Sequence, residues 1–224
     1  MAAGLKYKFQ GSEIKVLTSY DNASPGPMSV SAITQASPAV ATVDSTTVLG
    51  TTGDIGVVKF SSVEGMTELD GLVLIVQVAS GTTLTLLGVD ATGYGAFSGT
   101  ALGYPGVFQT WCEPTGVNRQ GGSASEIQAS TVCSTFQEFE RGLADFGTVQ
   151  IDFNYAPKTT VQQALATFES SGDLTAIRYA LPNDGGERIV LGYVQTTSES
   201  GAVNGIWSGS VTFRATGAPV TVVD

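Results

Sequence analysis

In residues 147–155 the apolar side chains Val149, Ile151, Phe153 and Tyr155 alternate with Thr148, Gln150, Asp152 and Asn154. A period of two predicts a strand with one buried and one wetted face. Pro157 ends that strand, and Thr159 and Thr160, each followed three residues later by Gln, offer a capping box for a helix. Val161, Ala164, Leu165 and Phe168 then form a single apolar stripe, Gly172 is placed to end the helix, and residues 174–181 return to extended structure.

Elsewhere the apolar pattern is short and again two-periodic. Leu5, Tyr7 and Phe9 alternate with Lys6, Lys8 and Gln10, and Ile14, Val16 and Leu17 follow Gly11, which predicts a first hairpin. Strands are expected at 29–34, 39–43, 55–60, 72–79 and 82–87, with turns marked by Gly53, Gly65, Gly71 and Gly81. Three more are expected at 126–132, 187–197 and 206–215. In the last, Trp207, Gly209, Val211, Phe213 and Ala215 share a face opposite Ser208, Ser210, Thr212 and Arg214, which assigns Trp207 to the core. Residues 115–125, TGVNRQGGSAS, read as a loop, and the closing GAPVTVVD is apolar enough to make an adhesive edge.

Two clusters of breakers, DNASPGP at 21–27 and GTALGYPG at 99–106, bracket a block of different character. It holds six acids (Asp44, Asp54, Glu64, Glu68, Asp70, Asp90), one base (Lys59) and no helical period. Compact domains with neighbouring ends can be inserted in a host loop. The expected organisation is therefore a discontinuous host, 1–28 with 101–224, carrying an inserted small all-β domain at 29–100.

Composition narrows the chemistry. The 224 residues include 20 Asp and Glu, 10 Lys and Arg and no His, a formal net charge of −10. Histidine-based triads and histidine-ligated metals are excluded. No cluster of basic residues suits phosphate binding. Cys112 and Cys133 match no zinc or redox spacing, and are either one disulfide or buried free thiols. The start, MAAGLKYKFQG, has no apolar signal segment, and the most apolar run, 72–79, is too short to cross a bilayer, so neither secretion nor a membrane partner is expected. The acid pairs Glu138 with Glu140 and Asp145 with Asp152 lack any accompanying nucleophile, base and orienting group. No enzyme, cofactor or metal is expected.

An ordered set of segments resembles the tail tube, or major tail, proteins of long-tailed bacteriophages. The resemblance covers about 108–220 and the first thirty residues, through EIQASTVCST at 126–135, FERGLADFGTVQIDFNYAP at 139–157, QQALATFESSG at 162–172, IRYALP at 177–182 and WSGSVTFRATGAP at 207–219. The block at 29–100 resembles a small β-barrel module of phage tail proteins, also similar to one in ubiquitin-activating enzymes, through GMTELDG at 65–71 and LGVDATGYGAFSG at 87–99.

The resemblance implies a mainly β fold, a tail-tube-type β-sandwich or barrel with one flanking α-helix, plus the inserted all-β domain on the tube exterior. It implies hexameric rings stacked into a tube, about four strands per subunit in a continuous inner barrel, and genomic DNA passing without specific binding. The other partners implied are the tape measure, tail tip and terminator proteins, with assembly in the host bacterial cytoplasm and residence in the virion tail. On that reading Gln150, Asp152 and Asn154 are candidates to line the lumen, the alternative being an ordinary solvated sheet face. Leu5, Tyr7, Phe9, Asn118, Arg119, Gln120, Pro219, Val220 and Val222 are candidate contacts between subunits or rings, the alternative being plain termini and a plain loop. Two other readings are a tail terminator or connector of the same fold and a secreted β-sandwich binding module with Trp111 and Trp207 as stacking platforms.

Overall fold

The computed structural model describes residues 8–20, 26–131, 133, 135–183 and 185–222. Leu5 and Tyr7 lie outside the described residues. The chain divides into two compact units, Val16–Gln109 and Met1–Lys15 with Thr110–Asp224. The first is wider at both ends than the block 29–100, because it takes in most of β1 (Glu13–Tyr20) and of β7 (Ala101–Thr110).

In the Val16–Gln109 unit, β2 (Met28–Ile33), β3 (Ala39–Val43), β4 (Ile55–Ser61), β5 (Val73–Ser80), β6 (Thr83–Leu86) and β7 form a closed barrel. The order is β2-β3-β6-β5-β4-β7, and β2 pairs back onto β7. Closure leaves these strands no open edge. Val30, Phe60, Met66, Leu69, Leu84 and Leu86 fill its centre and are fully buried. All five expected strands are present within about two residues of their expected limits.

The breaker cluster at 99–106 is not a linker. Most of it is the first half of β7, which pairs with both β2 and β4. Its small residues serve close packing: a Cβ on Gly106 would lie 2.5 Å from a methyl of Leu17, and one on Gly103 3.1 Å from a methyl of Val58.

The Thr110–Asp224 part contains β8 (Pro114–Gln120), β9 (Ala124–Gln128), β10 (Phe139–Ala144), β11 (Thr148–Asn154), α1 (Thr160–Ser171), β12 (Thr175–Ala180), β13 (Glu187–Ser200), β14 (Ser208–Ala215) and β15 (Val220–Val222). Its main sheet runs β12-β13-β14-β11-β8 with every pair antiparallel, and β15 lies on the start of β13. A separate two-stranded ribbon pairs β9 with β10. Val149, Ile151, Phe153, Val194, Val211 and Phe213 are buried on one face of the sheet, and α1 buries Val161, Leu165 and Phe168.

The helix starts where it was expected, with a different cap. Thr159 is extended (φ −76°, ψ 145°) and donates its hydroxyl to Ala156 O at 3.0 Å rather than accepting an amide. Gln162 does the reaching back: its Oε1 accepts Ala156 N–H at 2.9 Å and its Nε2 donates to Asn154 O at 3.0 Å. Gly172 ends the helix at φ 72°, a left-handed conformation open to glycine at no steric cost, and its N–H returns to Phe168 O at 2.9 Å.

Several other expectations are corrected. Residues 115–120 are strand, not loop, because β11 offers β8 a full antiparallel partner from Gln120↔Thr148 to Gly116↔Asp152. Lys8 and Phe9 belong to no strand. The strand expected at 126–132 is β9, which stops at Gln128. Trp207 precedes β14 and is 57% exposed, its ring lying over Gly201, where a Cβ would sit 2.7 Å away. Cys112 and Cys133 are free and exposed rather than buried or bonded. The tail is not loose: β15 pairs Val220 with Ile189, Thr221 with Arg188 and Val222 with Glu187.

Gln162→Leu keeps the volume but leaves the Ala156 amide and the Asn154 carbonyl without their partner. It should lower the unfolding free energy by about 1–3 kcal/mol, read from urea unfolding; an unchanged midpoint would contradict this role.

Candidate assembly surfaces

Because β11 buries Val149, Ile151 and Phe153, its alternate residues Gln150, Asp152 and Asn154 all emerge on the opposite face and are exposed. The ladder extends that face across four strands. Asn118, Gln150, Thr212 and Thr196 form one row, and Gly116, Asp152, Ser210 and Ser198 the next. Asn154, Ser208 and Ser200 form a third.

A bulge makes the last column possible. Val194 pairs with Phe213 and Thr196 with Thr212, so Gln195 is an extra residue. It shifts the alternation of β13, so that Thr196, Ser198 and Ser200 join the polar side.

Charge on this face is sparse. Asp152 accepts a hydrogen bond from Gln150 Nε2 at 3.1 Å. Ser198 and Ser210 share a hydrogen bond at 2.8 Å. Arg214, at the end of the face opposite Thr148, is paired with Asp145 at 3.0 Å. The face is otherwise hydroxyl and amide.

The expected contact residues separate. Asn118 and Gln120 are exposed on the polar face of β8, while Arg119 is half-buried and stands opposite Val149. Phe9 lies with Glu13, Ile14, Trp111, Cys112 and Thr115 around a shallow groove. Trp111 packs on Phe153 with ring centroids 4.9 Å apart. Pro219 and Val220 are half-buried where the tail joins β13.

Two further surfaces escaped the sequence reading. The β9–β10 ribbon carries Ile127, Phe139 and Leu143, all exposed, the last at 91%, and Phe136 at 83% lies in its loop. An isolated two-stranded ribbon is marginal in water, and one this apolar calls for a covering partner. The β13–β14 tip is the second surface, with Val203 94% and Ile206 78% exposed beside Trp207.

Residues 64–223 match the family model of the phage tail tube protein, TTP. The chain belongs to the phage tail tube protein family. The match takes in residues 64–107, which the resemblance at 108–220 left aside. The family is a structural one, and its members are components of the virion tail. The chain is thus a structural subunit of a phage tail tube.

Among solved structures, the chain is similar to the tail of an empty GTA particle from helical refinement with C6 symmetry, at 13% identity and TM-score 0.42, over 51% of this chain and 86% of that one. It is also similar to the SPP1 tail tube solved by solid-state NMR and cryo-EM, at 11% identity and TM-score 0.40, over 53% and 69%. Both likenesses are too distant to carry more about this chain. No curated protein matches it.

At the base of the tip, Tyr155 donates to the Glu199 carboxylate, and that bond, with a smaller contribution from burial, raises the phenol above its ordinary value of 10.0. A raised value means that the bond stabilises the fold fully below pH 10.0 and is lost as pH climbs through the raised value. Titration of Tyr155 followed by NMR should show late ionisation that moves earlier in Glu199→Gln; an identical curve in the variant would exclude the bond.

Proposed function

We propose that six copies of this tail tube subunit form a ring in which β8, β11, β14 and β13 of each copy contribute to one continuous barrel with the hydroxyl and amide face inward. The observation that carries this reading is the unbroken polar face of those four strands. Six such sheets give about 24 strands, and at ~4.8 Å between strands the wall has a circumference of roughly 115 Å and a backbone diameter of at least about 37 Å. Barrels of roughly 16–18 strands already enclose an aqueous channel, so duplex DNA passes through this one.

Passage requires a wall that does not hold phosphates. Neutral hydroxyls and amides, one carboxylate at Asp152 and an Arg214 already neutralised by Asp145 meet that need. Gln150, Asp152 and Asn154 line the lumen, with Asn118 and Gln120 from β8 beside them. Rings stack through the N-terminal segment that ends near Phe9, through the β9–β10 ribbon and through the tail around Pro219 and Val220. The tape measure, tail tip and terminator proteins meet the tube along its bore and at its ends, and assembly takes place in the host cytoplasm.

The Val16–Gln109 unit lies on the tube exterior. In support, the barrel of that unit is closed on itself, β2 pairing back onto β7, and a closed barrel has no strand edge that a wall must cover.

Electron microscopy of the concentrated, purified protein should show six-fold rings and hollow tubes studded with outward knobs. Monomers alone would overturn the ring, and smooth tubes the exterior placement. Virions carrying Asp152→Lys should assemble normally and eject DNA more slowly; an unchanged ejection rate would remove Asp152 from the lumen.

A further inference from the structure

β12 pairs with β13 only as far as Gly192. Beyond it, residues 193–200 have β14 along one side and, among the described residues, no strand along the other. In an antiparallel strand alternate backbone groups point to opposite sides. Thr197 points its N–H away from β14, and that N–H donates to Glu169 Oε1 of α1 at 3.0 Å. The Thr197 hydroxyl donates to the second oxygen, Oε2, at 2.7 Å. One helix carboxylate thus uses both oxygens on a single residue of an otherwise open strand edge. A charge laid over an edge is a known defence against unwanted strand pairing.

At the other end of the same four-strand sheet, β8 has β11 on one side and ends the strand order. The two edges match. Directions alternate β8, β11, β14, β13, and four is an even number, so β8 of a copy rotated about a ring axis meets β13 antiparallel. That rotation also keeps the polar faces together, Asn118 and Gln120 continuing the side of Thr196, Ser198 and Ser200. Such a head-to-tail contact closes into a ring when the rotation allows.

We propose that the outward edge of β13 around Thr197 is the seat for β8 of a second copy, and that Glu169 holds this edge shut in the free subunit. The proposal rests on the ring reading above and adds the edge used and the residue that guards it. The Thr197 N–H cannot serve Glu169 and an incoming carbonyl together, so Glu169 lets go as the neighbour docks. Free subunits are protected from misdirected pairing, and the guard is displaced by a strand that also brings a matching polar face.

The test uses the full chain, wild type beside Glu169→Ala and Thr197→Val, the second removing only the hydroxyl bond. Sedimentation gives the concentration at which tubes appear, and hydrogen exchange the protection of the Thr197 amide. In the free Glu169→Ala subunit that amide should exchange roughly tenfold faster, the loss of a charge-assisted bond. In tubes of both chains it should be equally protected, by the neighbour's strand. The threshold for tubes should fall several-fold in Glu169→Ala and less in Thr197→Val. Should Glu169→Ala fail to fold, the lower threshold of Thr197→Val still decides. A threshold unchanged or raised in a folded variant, or a Thr197 amide as fast in tubes of Glu169→Ala as in its free subunit, overturns the guard while leaving the ring standing. Wild-type protein that forms no rings removes both.

Discussion

The sheet of the Thr110–Asp224 part depends on burying a single face. Val149, Ile151, Val211 and Phe213 are shut away from water, and each such side chain contributes about 1.5–3 kcal/mol on burial. Since side chains alternate with a period of two, burial of one register sends the other outward on every strand of the ladder at once. The hydroxyl and amide face is therefore not specified separately from the core. A polar sheet face of this kind arises as the complement of the hydrophobic packing behind it.

That coupling explains what could be read in advance. β11 and α1 were legible because each carries its own period and stop signals, Pro157 after the strand and Gly172 after the helix. The strands of the barrel were legible because β-branched and apolar runs sit between glycine turns. β7 and β8 were not, since both are poor in those signals: Gly103, Pro105 and Gly106 in one, Gly116, Asn118, Arg119 and Gln120 in the other. Tertiary partners hold them extended, β2 and β4 around β7, and β11 beside β8. The polar register of Gln150, Asp152 and Asn154 was visible in the sequence, but its continuation onto β8 and β13 depends on register, which no local pattern carries. Trp207 fitted the alternation of β14 and still lies outside, because the strand begins one residue later and the ring rests on Gly201 instead.

The acidity of the Val16–Gln109 unit goes largely into its turns. Asp54 accepts from Thr51 N–H and Oγ1, Asp70 from Val63 N–H, and Asp90 from Thr92, whose two bonds hold the Asp90 carboxyl below its usual value. These carboxylates replace backbone acceptors where the chain reverses. The acids that set this block apart in the sequence are thus partly loop fastenings, and they let a small barrel hold long connections in defined shapes.

The extra residue at Gln195 also governs how this strand can change over time. It acts as a phase shifter between an upstream half that keeps Val190 and Val194 inward and a downstream half that keeps Thr196, Ser198 and Ser200 on the polar side. A single insertion or deletion within either half would exchange the polar face for the core along the rest of the strand, so β13 keeps its two faces only when its length changes by two residues at a time. The tip at 201–207 bears no such parity and can lengthen or shorten by any number. A change of length is therefore tolerated at the tip, while the polar face keeps its chemistry.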